Sequence, residues 1–510
     1  MQKELDSKKE LYRDFIENLH PTSHVGKVTA TDLYLNELFD HLDCTSSWPG
    51  RQILYSRIQR QNFCGYSDAD HQLMDRLAND ELLRSKIHAL LTPLNSQDAS
   101  GMMRLFSLEL PVVTTQFINM VRLLQLLAVG LVVLLFTGFF QFSIVGLIVL
   151  LIFNLILHYK NKLNLSIYDS SIPQIAKLIK CAEKLLALDI SGENSAPVYD
   201  SIVHLKAATK SIRWFKQPRI LLSDLAIIIW ALQELLKIIT LIEVYAFNVT
   251  LMRLAGNQAS LRIVYEFVGN VDVMNCIAKI RCENENICVP VFLKDSNSLR
   301  CSNVTHPLVE NCVKNSLTMD GKSVLLTGSN MSGKSTFIRA IGVNVLMAQN
   351  LLIAFADRFE LSNPLHIHTV MNVHDDLLDS KSLFFSEVLA IKDLLNSSQS
   401  GNQLFLMDEM FKGTNTIERV AAANGVLSFL ADNNMVVVAT HDVELTELLA
   451  DKYELYHFCE QVNDGRIYFD YSLKKGVITE FNALKILKYN EYPQEVLDKA
   501  YSTIINTNCL

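Results

Sequence analysis

A chain of 510 residues has room for roughly two to four domains and an ample core. Its composition is 49% hydrophobic and only 20% charged, slightly apolar for a soluble protein. A net charge of −8 argues against a protein that coats nucleic acid along its whole surface, while leaving a local basic face open.

The chain starts with charged residues, Met1-Gln2-Lys3-Glu4-Leu5-Asp6, and not with the apolar run of a signal peptide. Ten cysteines are scattered without a C-x-x-C pair, and the even spacing of Cys276, Cys282 and Cys288 matches no common zinc pattern. A reduced, cytosol-facing protein is the simplest account. Residues 1–30 read as a short lead-in. Residues 31–120 carry Leu and Ile at helical spacing with charges between them, the pattern of a helical domain.

The next segment departs from the rest. From Leu123 to Leu157 no Asp, Glu, Lys, Arg or His occurs. Two apolar blocks, Leu123–Phe140 and Phe142–Leu157, meet near Gly138 and Gln141. One continuous helix would run about 50 Å, far beyond the ~30 Å hydrocarbon core of a bilayer. Folded at the middle, each arm is roughly 24–27 Å and spans with local thinning. Arg122 on one flank and Lys160 and Lys162 on the other predict a transmembrane hairpin over 121–158 with both ends in the cytoplasm. A hairpin buried in a large soluble core is the alternative. Residues 159–300 resume the helical pattern, broken by the loop signal Ser191-Gly192-Glu193-Asn194-Ser195-Ala196-Pro197. Within them Ile220–Phe247 is apolar but holds Asp224, Glu234, Lys237 and Glu243. Charges there are expensive in lipid, so the stretch reads as one long, mostly buried soluble helix.

From about Ile287 short β-branched runs alternate with helices, which predicts an α/β nucleotide-binding domain over 301–510. Its expected strands include Val324–Thr327, Leu404–Met407 and Val436–Thr440. Between the first strand and a helical stretch lies Gly328-Ser329-Asn330-Met331-Ser332-Gly333-Lys334-Ser335-Thr336, a complete G-x-x-x-x-G-K-S phosphate loop in its proper setting. Backbone N–H groups of such a loop cradle phosphates. Lys334 would pair with the β/γ-phosphates of ATP and Ser335 would place its hydroxyl on Mg²⁺. The strand Gln403–Met407 delivers Asp408 and Glu409 to its C-terminal edge. Asp408 suits the Mg²⁺ shell, and Glu409 is then placed to polarise the attacking water. Val436–Thr440 repeats the design and brings His441 to the same edge, where it could bond the γ-phosphate. His374–Glu387 shows by spacing only an acidic turn and a helix start, with Ser380 or Ser382 as a cap.

These residues together resemble the ATPase domain of the MutS family, within the ABC superfamily. Thr327–Thr336 resembles that family's TGPNMGGKST, and Ser382–Glu387 its STFMVE. Asp408–Asn415 resembles DEIGRGTS, and Ala439-Thr440-His441 with Glu444–Leu448 resembles ATHYFELTEL. Thr305–Glu310 is similar to the RHPVVE entry of this domain, Pro493–Ala500 to its C-terminal helix, and Leu38–Thr45 through Gly50 and Leu54 to the opening of the family's core domain. The resemblance implies a dimeric, Mg²⁺-dependent ATPase in which Ser382 reaches the γ-phosphate bound by the partner subunit. It implies an all-α core and lever domain before the ATPase, here carrying the inserted hairpin. It also implies a nucleotide-driven clamp, with double-stranded DNA as a candidate partner. The chain departs from the pattern in three ways. Only residues 1–30 precede the core-like segment, so a mismatch-reading N-terminal domain is not expected, and Phe15-Ile16-Glu17 is taken as a chance match to its wedge. Ser329 replaces the usual proline, and Phe411-Lys412 replaces Gly-Arg. The apolar hairpin has no counterpart in a soluble repair clamp.

The expectation is therefore a membrane-tethered homodimeric ATPase whose ATPase domain and termini face the cytoplasm. A soluble, cytoplasmic DNA repair or recombination protein is the second reading. The ATPase of an envelope or transport machine is the third; it is disfavoured because the LSGGQ signature of transporter ATPases does not occur.

Overall fold

The computed structural model describes residues 24–61, 66–136, 139–188, 190, 195–210, 224–294, 297–329, 331–362, 365–371, 383–398, 402–463, 466–477 and 492–507. The chain is a mixture of helix and sheet and divides into two compact units. The described residues of the first lie within Cys44–Leu54 and Ser67–Lys279; those of the second lie within His20–Asp43, Tyr55–Tyr66 and Ile280–Leu510.

The first unit contains helices and, among its described residues, no strand. Gly50 lies against Asp272, whose carboxylate accepts from Ser46 N–H at 3.0 Å and from the Ser47 hydroxyl at 2.5 Å. A Cβ at Gly50, within the helix Trp48–Ile58, would fall 2.1 Å from that carboxylate, so a larger residue there requires the Asp272 side chain to move. The apolar segment forms two helices, Thr115–Leu134 and Phe140–Asp169, which pack on each other. The first starts upstream of the charge-free run because the Thr114 hydroxyl caps it by accepting from Phe117 N–H. Gly138, where the turn was expected, lies outside the described residues. Arg122 borders the charge-free run but not the helix. It sits inside the first helix, where its guanidinium donates to the Tyr245 hydroxyl at 2.7 Å and lies over that ring.

The reading of Ile220–Phe247 as one buried helix is corrected. Residues 220–223 lie outside the described set, and the remainder forms two helices, Asp224–Thr240 and Ile242–Ala255, bent by 61°. Leu241 at the break is left-handed, with φ of 47°, while its side chain is fully buried beside Val121 and Val244. Side chains from the apolar pair satisfy the carbonyls freed by the break: Gln125 donates to Thr240 O at 2.8 Å and Asn154 to Ile239 O at 3.1 Å. Nor is the segment mostly buried, since Leu232, Leu235 and Leu236 are exposed.

In the second unit the strands are β1 (Val291–Leu293), β2 (Ser298–Val304), β3 (Asn315–Asp320), β4 (Ser323–Thr327), β5 (Arg358–Ser362), β6 (His366–Val370), β7 (Gln403–Asp408), β8 (Met435–Thr440), β9 (Tyr453–His457), β10 (Glu460–Asn463), β11 (Arg466–Phe469) and β12 (Lys474–Lys475). A six-stranded sheet runs β12-β9-β4-β8-β7-β6, parallel except at β12. β4 and β8 are buried throughout, as continuous apolar runs are in a parallel sheet covered on both faces. A four-stranded sheet, β1-β5-β2-β3, and the hairpin β10-β11 complete the strands.

The edge strand β6 is closed by residues from the chain's beginning. The Gln61 side chain imitates a neighbouring strand: its amide donates to Ile367 O and its carbonyl accepts from Ile367 N–H, both at 2.9 Å. Asp32, also buried, accepts from the Thr369 hydroxyl at 2.7 Å and from Met371 N–H at 3.2 Å. These bonds tie two early stretches, His20–Asp43 and Tyr55–Tyr66, to the sheet's unit. Gln61→Ala leaves both groups of buried Ile367 unpaired and should destabilise this unit by about 2 kcal/mol. A urea midpoint equal to that of the unsubstituted chain would remove the side chain from this role.

Candidate functional site

The register of the parallel sheet assembles the site. Thr327 pairs with Thr440 and Asp408 with Ala439, so β4, β7 and β8 end at one level. Loops leaving that edge carry most of the residues expected from the sequence. Between β4 and the helix Lys334–Leu351 the chain turns through Gly328 at φ 149°, where a Cβ would stand 2.6 Å from Phe458 O. Lys334 is buried, and its ammonium donates to Gly328 O at 2.7 Å and Ser329 O at 2.8 Å. Burial lowers its pKa, opposed by the carboxylates of Glu409 and Asp408. Ser335 donates to Asp408 Oδ2 at 2.5 Å. Ser329, the residue that departs from the family pattern, donates to Glu460 Oε2 at 2.7 Å. Met331 is exposed, Thr336 is half-buried, and among the described residues the buried Ser332 hydroxyl has no hydrogen-bond partner. Asn330 and Ser382 lie outside the described residues.

Glu409 follows Asp408 in a left-handed conformation, φ 55°, and its N–H bonds Ala439 O at 2.9 Å. This turn separates the two acids. Asp408 stays with Ser335, while Glu409 faces His441 Nε2 at 2.5 Å and Lys412 Nζ at 3.2 Å. The hydrogen bond from His441, and then Lys412, hold its carboxyl down at about 2 against the opposing effect of burial. His441 thus contacts Glu409 directly, a partnership the sequence did not indicate. In the sequence Lys412 stands out only as a departure from the MutS motif. The signal for it was a cation three residues after Glu409, but the left-handed turn that brings it back could not be read from spacing. Gly413 then passes so close to Phe384 that a Cβ would stand 2.7 Å from it, which ties this loop to the start of the helix Leu383–Ser397.

A cavity of about 580 Å³ opens beside these groups. Lys334, Ser335, Thr336 and Glu409 line it together with Val309–Val313, Phe458 and Tyr471. The lining combines charged and polar groups, among them Lys334, Ser335 and Glu310, with the aromatic rings of Phe337, Phe458 and Tyr471, a mixture that suits a nucleotide. The donor set fits Mg²⁺ as well. Ser335 and Asp408 offer adjacent oxygens, the hard ligands that Mg²⁺ takes alongside water and phosphate. The unpaired Ser332 hydroxyl is a further donor within the loop.

Residues 324–507 match the family model of MutS domain V. The chain is 27% identical over 271 residues to the DNA mismatch repair protein MutS of Fusobacterium nucleatum, covering 51% of this chain and 30% of that protein. Against MutS of Methanosarcina barkeri it is 27% identical over 327 residues, 61% of this chain and 35% of the relative. Against the DNA mismatch repair protein MSH3 of Saccharomyces cerevisiae it is 26% identical over 268 residues, 49% and 26% respectively. The similarity to MutS thus covers about half of this chain, which spans about a third or less of those relatives.

The depressed pKa of Glu409 has a consequence for acid stability. A carboxyl held at about 2 contributes stability above the ordinary value near 4.5 and loses it as pH falls from there towards 2. His441→Ala removes the first cause and should flatten the fall in stability between pH 4.5 and 2. Denaturant midpoints measured across that range check this, and parallel curves for the two proteins would contradict it.

Proposed function

We propose that the second unit is a Mg²⁺-dependent ATPase of the MutS type, and that the chain works as an ATP-driven homodimeric clamp tethered to a membrane. The observation that carries the ATPase reading is the division of labour between adjacent acids: Asp408 bonded to Ser335, and Glu409 turned away toward His441 and Lys412. Gly328–Thr336 would hold ATP, with Lys334 released from the loop carbonyls to meet the β/γ-phosphates. Ser335 and Asp408 would hold Mg²⁺, which when bound neutralises phosphate charge. Glu409, ionised at neutral pH, accepts a proton from the attacking water, and His441 holds the carboxylate in place. Ser382 would act across the dimer interface, as the resemblance implies. Double-stranded DNA is the clamped partner suggested by the relatives' names.

Membrane attachment rests on a second observation. The most apolar 18-residue windows of the helices Thr115–Leu134 and Phe140–Leu163 have mean hydropathies of 2.2 and 2.5, yet only 17% of each window is buried. At 1.5 Å per residue they reach about 30 and 36 Å, enough to cross a bilayer. Lys160 and Lys162 near the end of the second helix favour a cytoplasmic location for the hairpin's ends and the ATPase.

Glu409→Gln should keep ATP binding and slow turnover by roughly 100-fold or more, the scale of general-base loss. The same variant should accumulate as an ATP-bound dimer in sedimentation, and adding Ser382→Ala should abolish that dimer. Unchanged turnover in Glu409→Gln removes the assigned base; a dimer that survives Ser382→Ala removes the serine from the interface. The full chain should sediment with membranes and resist alkaline carbonate, while a chain lacking 121–158 should be released and still bind ATP. A full-length chain that fractionates as soluble defeats the tether.

A further inference from the structure

The helix break in the first unit holds a group of charged side chains that the ATPase reading leaves unused. His158 lies on the helix Phe140–Asp169, Glu234 and Lys237 on Asp224–Thr240, and Glu243 in the first turn of Ile242–Ala255. A ring nitrogen of His158 and carboxylate oxygens of Glu234 and Glu243 all lie within 4.8 Å of one another. His158 is 98% buried, at 2% exposure, and among the described residues neither of its ring nitrogens has a hydrogen-bond partner. Such an orphan is costly, because a buried imidazole without partners forfeits the bonds it makes in water.

Cations already occupy the space between the acids. Lys237 Nζ is 3.1 Å from Glu234 Oε2 and 3.3 Å from Glu243 Oε2, and Lys162 Nζ is 3.4 Å from Glu234 Oε1. These ammonium groups balance the two carboxylates and leave the imidazole unused. A divalent ion would balance the same carboxylates with a single charge centre and take up the imidazole as well. Lys237 sits on a flexible four-carbon stem and is partly exposed, so it can swing outward to make room. One imidazole with two carboxylates is a ligand set for borderline divalent transition ions such as Zn²⁺, whereas Mg²⁺ and Ca²⁺ prefer oxygen alone.

We propose that His158, Glu234 and Glu243 form a site for one divalent transition-metal ion of the Zn²⁺ class at the helix break, with the Lys237 ammonium as its competing cation. The site is distinct in residues and in metal chemistry from the Ser335–Asp408 pair. A metal there would join three helices and fix the 61° bend.

The test uses the full chain in detergent micelles without nucleotide, titrated with Co²⁺ as a visible-absorbing probe and competed with Zn²⁺. One saturable equivalent is expected, displaced by Zn²⁺ and not by Mg²⁺. His158→Ala and Glu243→Gln should each weaken it by more than about 100-fold, beyond the 10–100-fold that loss of an outer partner costs. Lys237→Met should tighten it about tenfold by removing the competitor. Absence of saturable binding in the unsubstituted chain, or equal binding in His158→Ala, overturns the site. If His158→Ala fails to fold, Lys237→Met decides: weaker or unchanged binding there identifies the cluster as an ion-pair network and overturns the proposal.

Discussion

The 2.5 Å contact between the Ser335 hydroxyl and Asp408 ties the helix after the phosphate-loop motif to the end of β7. The remaining geometry of the site depends on it. With Asp408 held there, the left-handed turn at Glu409 must carry the next carboxylate elsewhere, and the bond from Glu409 N–H to Ala439 O fixes where. Glu409 then meets His441, which leaves β8 one residue beyond Thr440. Three strands ending at one level therefore convert two adjacent acids into groups with separate neighbours. That separation is electrostatic as well as geometric: one acid shares a hydroxyl proton, while the other is held ionised by an imidazole and an ammonium.

The first unit solves a different problem. Its apolar helices leave long hydrophobic faces uncovered, yet polar groups from these helices reach inward. Gln125 and Asn154 serve the carbonyls at the helix break, and Asn161 accepts from Asn248 at 3.0 Å. In an apolar setting an unsatisfied carbonyl costs several kcal/mol, so a break persists only where side chains replace the lost helical bonds. The charges of Glu234, Lys237 and Glu243 gather at the same place, paired with one another instead of dispersed.

Local patterning carried the recognisable parts of the sequence. Buried parallel strands are short apolar runs, and β4, β7 and β8 lie where such runs occur. Phosphate-loop spacing is a backbone requirement, so it is written in consecutive residues. The absence of ionisable residues from Leu123 to Leu157 likewise needs no partner to be seen. The chain alone thus determined the α/β pattern of its last two hundred or so residues, the candidate loop with its two following acids, and the apolar pair of helices.

What the tertiary structure decided involves residues far apart in the chain or backbone angles without a sequence signature. Gln61 closes the edge of β6 across three hundred residues, a pairing that no periodicity records. Leu241 breaks a helix without Gly or Pro, because its buried side chain and the amides of Gln125 and Asn154 outweigh a propensity that favours continuing. Lys412 reaches Glu409 only through a turn with φ of 55° at Glu409 and 57° at Phe411. His158 meets Glu234 and Glu243 only after the break has reoriented their helices. Sequence fixes what each residue can do locally through propensity and hydrophobic period. Which distant groups share a site follows from register and packing, which exist only once the whole chain has folded.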